Sequence, residues 1–295
     1  MRPGAAPTRT RVERPLGGRL SGPRDCRLAR YDRDDVSPKS AIRRLELEGC
    51  LNVRDVGGYP TCYGTSTLHR RLLRGDCPHR IGPAGWTTLS EDGVRTVIDL
   101  RSDAERDEVP VVIEGADIIQ RHLPMFESGD EFNGSAFRES SAIYLYWLRE
   151  RSDRVAGIMR GIASAPSPSI LVHCWSGKDR TGVVIGLLLR LAGVDVDVVA
   201  SDFALSADLL APRHAGWSRE AADRGIGIDA INRMISAQPG TMHTVLSEVD
   251  AEHGGVEHYL SAIGLDTVEI ASLRGLLLDA DWQPAAREIQ ADRRA

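Results

Sequence analysis

Cysteine is scarce in this chain of 295 residues, which holds five, and no CxxC pair occurs among them. That is too few for a disulfide scaffold, and Cys50, Cys62, Cys77 and His79 lack the paired spacing of a zinc site. No apolar run approaches the roughly 20 residues that a membrane-crossing helix needs, so stable membrane insertion is not expected. The first 40 residues contain no continuous apolar stretch of the kind that makes a secretory signal. A Gly-x-x-x-x-Gly-Lys-Ser/Thr pattern is also missing, which argues against a nucleotide-type phosphate loop. Nor is there an excess of positive charge: the net charge is −5 and the pI about 5.9, so nucleic-acid binding finds no support.

What remains is ample for a globular core, since 42% of the chain is hydrophobic. Residues 1–44 differ in kind, being rich in Arg, Pro and Gly with few large apolar side chains. They cannot bury enough surface to offset ordering entropy, and read as a disordered tail. From there the pattern predicts a single catalytic domain over 45–288, with a short C-terminal tail over 289–295. Residues 95–100 and 117–124 read as strands, 139–164 as a helix, and the segments after residue 193 as largely helical. Alternating strands and helices imply an α/β fold, a central and mostly parallel sheet flanked by helices.

The most informative stretch is SILVHCWSGKDRTG at 169–182. Ser169 to His173 is a short apolar run with β-branched residues, bounded upstream by Ala-Pro-Ser-Pro, and predicts a buried strand. Thr181 to Gly193 is Val/Ile/Leu-rich and predicts a helix ending at that glycine. The turn between them sits at a helix N-terminus, where unpaired amides and the helix dipole favour an anion. Cys174 lies at the rim of that anion site, where the same amides and Arg180 would stabilise a thiolate nucleophile. Arg180 offers a planar fork that can grip two phosphate oxygens. A lone cysteine is ordinarily a small hydrophobe, and a lone Lys-Asp-Arg run a solvated face. The two together, at this spacing, favour chemistry.

His-Cys, five residues, then Arg-Thr resembles the signature of the protein tyrosine phosphatase superfamily. The form HCWSGKDRTG is most similar to the bacterial atypical branch with a Gly-Lys-Asp-Arg-Thr-Gly loop. NVRDVGGYP at 52–60, GVRTVIDLRSDAER at 93–106 and HGGVEHYLSAIGL at 253–265 resemble that branch in the same order, so the likeness spans roughly 46–280. It implies a cysteine-dependent phosphomonoesterase acting through a phosphocysteine intermediate, with no cofactor and no metal. Cys174 would be the nucleophile, Arg180 the phosphate clamp, and Thr181 a hydroxyl donor to the leaving sulfur. His173 would orient the loop. Asp179 is the candidate general acid, with Asp99 and Asp103 as rivals.

Trp175, Ser176, Gly177 and Lys178 complete the loop and are expected at the substrate, Lys178 favouring a second phosphate or acidic neighbour. Arg54, near Asn52 and Asp55, either contacts substrate or pairs with Asp55 to hold a turn. Asp99, Arg101 and Asp103 follow a strand whose C-terminal end shares the sheet edge of Cys174. Tyr144, Tyr146 and Trp147 read as core. An irregular segment at 206–236 is either ordinary helical packing or, as in similar phosphatases, a helical lid. The expected partner is a phosphorylated substrate, phosphotyrosine on protein by default. A small-molecule phosphatase and a phospho-ligand binder without turnover stay open, as does the oligomeric state. A catalytic thiolate prefers a reducing compartment, so a cytoplasmic location is expected.

Overall fold

The computed structural model describes residues 44–127 and 139–281. The tails expected over 1–44 and 289–295 lie outside these residues, apart from Arg44. Five strands form one sheet in the order β1-β2-β5-β3-β4. They are β1 (Arg54–Asp55), β2 (Leu72–Gly75), β3 (Thr96–Asp99), β4 (Ile119–His122) and β5 (Ile170–His173). β1 pairs antiparallel with β2 at the edge, and every other pair is parallel. The expected mostly parallel sheet is therefore present, with one antiparallel edge.

Alternation along the strands explains the two layers around it. Leu72, Ile98, Ile170 and Val172 face the larger core, and Leu73, Val97 and Leu171 face the smaller one. The smaller core is closed by α1 (Pro83–Glu91), through Trp86 and Leu89, and by Leu47, Cys50 and Val53. The larger is closed by α3 (Ser140–Glu150), α4 (Ser152–Ala163), α5 (Asp179–Leu191), α8 (Pro239–His253), α9 (Val256–Ala262) and α10 (Thr267–Leu278). α5 is buried on nearly every face, as a helix without a polar side must be. It begins at Asp179, two residues before the expected start.

The expected helix over 139–164 is two helices. Arg151 leaves helical backbone at φ −125°, ψ 31°, and the Ser-Asp pair that follows favours a new start over continuation. The segment expected to be irregular at 206–236 is also helical. α6 (Val196–Asp223) runs through Pro212, and α7 (Ile228–Ile235) follows after a short loop. α6 is started by Asp195, whose side chain accepts from the Asp197 amide at 2.9 Å. α2 (Asp103–Glu108) starts with a Ser102–Glu105 capping box directly after β3. In register, Asp99 of β3 lies opposite His173 of β5. The sheet thereby sets the start of α2 beside the loop that opens α5. No helix among the described residues is long and apolar enough to cross a membrane.

Candidate active site

The loop from Cys174 to Lys178 follows β5 and opens α5, and its shape is fixed through its carbonyls. Trp175 O accepts from the Cys77 amide at 3.0 Å, and Ser176 O from Asn52 Nδ2 at 2.8 Å. Gly177 O accepts from Arg74 NH2 at 2.7 Å, and Lys178 O from the Gly182 amide at 2.9 Å. Within each peptide plane the N–H points away from the C=O. Four carbonyls turned toward the scaffold therefore leave the next amides turned toward the hollow of the loop, a ready anion cradle. Gly177 is required twice over: its φ is +68°, and a Cβ there would lie 2.2 Å from Gly75 O.

Beneath the loop lies a buried charge network. Arg74 of β2 is 1% exposed and meets Asp202 of α6 at 2.6 Å while reaching the loop with its other amino group. Arg54 of β1 donates to the other Asp202 oxygen at 3.0 Å, and Tyr59 adds its hydroxyl at 2.8 Å. Burial works against the Asp202 charge, but the two guanidiniums overcome it and hold the carboxyl far below the ordinary range. Burial and the neighbouring Arg54 push Arg74 down to about 10, opposed by Asp202, which leaves it charged at neutral pH. Both groups belong to structure, since a buried charge persists only when it is paired.

The last three loop side chains point the other way, to the rim. Lys178, 1% exposed, donates to the carbonyls of Met234 at 2.6 Å, Ser236 at 2.8 Å and Arg233 at 3.1 Å, at the C-terminal end of α7. An ammonium there also meets the negative end of the helix dipole. Asp179 accepts a short hydrogen bond from the Tyr144 hydroxyl and lies 3.4 Å from Lys178 Nζ. Arg180 places NH1 and NH2 on the Glu105 carboxylate, at 2.5 and 2.7 Å. Its guanidinium lies 5.0 Å from the Phe126 ring centroid. Burial opposes the charge on Arg180, but the Glu105 bonds outweigh it and hold the group firmly protonated. Glu105 takes the NH1–NH2 edge of the fork.

Several expected positions are corrected by this geometry. Arg54 neither pairs with Asp55 nor faces a substrate, because Asp202, Asn52 and Ser206 use its whole guanidinium. Asp55 instead binds the Gly57 amide, His69 and the Arg70 amide. Asp99 is fully buried beneath Arg101, which donates from its backbone, Nε and NH2. Burial raises its pKa and these bonds more than reverse that, so Asp99 is held as a carboxylate. Asp103 is more than half exposed, 3.5 Å from His122. It lines a cleft of about 390 Å³ with Glu127 and Arg154. Lys178 is committed to α7 rather than open to substrate. Thr181 is buried and its hydroxyl has no hydrogen-bond partner among the described residues.

His173 is fully buried, burial pushes its pKa down, and its Nδ1 lies 3.1 Å from Cys174 O. Trp175 is half-buried and stacks on His79, with ring centroids 6.1 Å apart. Tyr144 and Trp147 are core residues as expected, but the Tyr144 hydroxyl reaches the site. Glu105, Arg74 and Asp202 were not anticipated. Glu105 had a signal, the Ser-x-x-Glu capping box at the carboxyl end of a strand beside the loop.

A mixed sheet whose central strand feeds a loop at a helix N-terminus, with a cysteine at the start of the loop and an arginine in the first turn of the helix, defines a cysteine-dependent phosphatase fold. The model described as the tyrosine phosphatase family matches residues 45–279, and the chain belongs to that family. It is similar to a tyrosine-protein phosphatase of Nostoc commune, at 28% identity over 229 residues, 73% of this chain and 76% of that one. It is also similar to the triple specificity protein phosphatase PtpB of Mycobacterium tuberculosis, at 26% identity over 275 residues, 79% of this chain and 98% of that one. The crystal structure of P. aeruginosa TpbA aligns at 20% identity and a TM-score of 0.27, covering 56% of this chain and 86% of that one. The protein is a phosphoric monoester hydrolase of the tyrosine or dual-specificity type.

Proposed function

We propose that phosphoryl transfer runs through Cys174 in two steps. The Cys174 thiolate attacks phosphorus in line while the loop amides and the Nε edge of Arg180 hold the equatorial oxygens. Asp179 protonates the departing oxygen, and water then releases phosphate from the phosphocysteine. The observation that supports this reading best is the set of four outward-tied carbonyls, which leaves the amides facing the hollow at Cys174. Among the three aspartates, Asp179 belongs to the loop itself, Asp99 is sealed under Arg101, and Asp103 faces a separate cleft. Glu105 positions Arg180 by its NH1–NH2 edge.

α7 serves as a lid in this reading, fastened to the loop by Lys178, and substrate entry requires that fastening to open. In this reading the catalytic unit occupies 45–288 and acts in the cytoplasm, the reducing compartment that a catalytic thiolate favours. Phosphotyrosyl protein is the substrate the family name favours.

Two variants test the mechanism. Cys174→Ser is expected to bind vanadate or phosphotyrosyl peptide and to lose turnover. Arg180→Lys is expected to lower kcat by about 10²–10³, because an ammonium cannot reproduce the planar grip. Turnover near the wild-type rate in either protein would rule out the assignment.

A further inference from the structure

Tyr144 is 1% exposed, and its ring is clamped on two sides. Trp147, one turn on along α3, stacks at 5.3 Å between centroids, and Phe203 of α6 meets it edge-on at 6.1 Å. Trp147 in turn stacks on Phe126 at 6.2 Å, and Phe126 lies under the Arg180 guanidinium. An aromatic arch thus runs from the phosphate clamp back to the phenol, whose hydroxyl ends on Asp179 Oδ1. A ring serving only the core would not need that hydroxyl placed on the residue beside the clamp.

We infer that Tyr144 is a positioning residue for Asp179, aiming its carboxyl at the leaving oxygen. This rests on the reading of Asp179 as the general acid. One Asp179 oxygen is fixed by the phenol, so the other is the one presented to the leaving group. Burial first, and then the Asp179 carboxylate, push the Tyr144 hydroxyl well above the ordinary tyrosine range, so it remains a donor across the working pH. The charged groups around this pair are Lys178 and Arg180 from the loop and α5, Cys174 at its base and Arg74 from β2.

The test compares Tyr144→Phe with wild type on two substrates, an aryl phosphate with an acidic phenol and unsubstituted phenyl phosphate. Phenyl phosphate is expected to slow about tenfold more than the activated ester, short of the 10²–10⁴ that loss of the general acid itself would cost. The ratio is read within one sample, so a partly unfolded preparation cannot imitate it. Asp179→Asn separates the two ideas. If it slows both substrates equally, the acid is misassigned and the Tyr144 inference falls with it. If Asp179→Asn is selective while Tyr144→Phe leaves the ratio unchanged, only the inference about Tyr144 is overturned. In the double variant, Tyr144→Phe is expected to add no further selective loss.

Discussion

The phosphate loop is held on two sides by partners of opposite character. Toward β1, β2 and α6 the partners are buried: Arg74 and Asn52 tie its carbonyls, and Asp202 with Arg54 completes the charge network behind Arg74. Toward α2, α3 and α7 the side chains of Lys178, Asp179 and Arg180 meet three carbonyls, a phenol and a carboxylate. Those are groups that a phosphate or a leaving oxygen can imitate. The difference teaches that the loop divides its labour by direction. Its backbone shape belongs to a preformed floor, and its reactive side chains belong to a rim whose partners can be exchanged or adjusted during turnover. Preorganised amides are what make such a site effective, since no reorganisation is then needed when charge develops.

The comparison breaks most visibly at the floor. Asp202→Ala removes the sole carboxylate between two buried guanidiniums, and is expected to lower the free energy of unfolding by about 3–5 kcal/mol in urea melts. A loss within about 0.5 kcal/mol, the scale of an ordinary surface change, would mean that the floor is not a structural unit.

At the rim the expected effect moves from stability to rate. Glu105→Gln keeps the size of the side chain and gives up its charge, so the grip on Arg180 loosens. We expect kcat to fall by about tenfold, inside the 10²-fold that a displaced group can cost, with the unfolding midpoint shifted much less than in Asp202→Ala. A rate unchanged by Glu105→Gln would show that the loop alone aims Arg180.

The smallest effect belongs to Lys178→Met, which retains the buried stem and removes the three bonds to α7. Faster amide exchange confined to residues 228–236 is the expected outcome, read by mass spectrometry on the intact protein. Unaltered exchange there would show that α7 is held by its own packing, through Ile231, and that Lys178 is no fastening.

The strand, loop and helix at 169–193 were legible from sequence because their determinants are local. A β-branched run, an anion-favouring helix start and a glycine stop lie within 25 residues, and the Cys174–Arg180 spacing is set by the loop itself. The strands β3, β4 and β5 were legible for the same reason, whereas β1 and β2 were not read as strands. The break at Arg151 was not, because the apolar pattern continues across it in α3 and α4 and only the backbone departs. The capping box at Ser102 marked a helix start, yet its second use on Arg180 depends on the β3–β5 register.

Tertiary structure alone decided the rest. Glu105 meets Arg180 across 75 residues, Arg74 meets Gly177 across 103, and Tyr144 meets Asp179 across 35. No spacing rule encodes such pairs, since they exist only once the sheet order brings β2, β3 and β5 side by side. The partner of Lys178 is least legible of all. It is a set of main-chain carbonyls at the end of α7, and every residue has a carbonyl, so nothing in the side chains there announces it. Sequence by itself determined which atoms can do the chemistry, because reactivity resides in residue type and short spacing. The fold determined which way those atoms face, because direction is a property of neighbours that the chain meets only after it has folded.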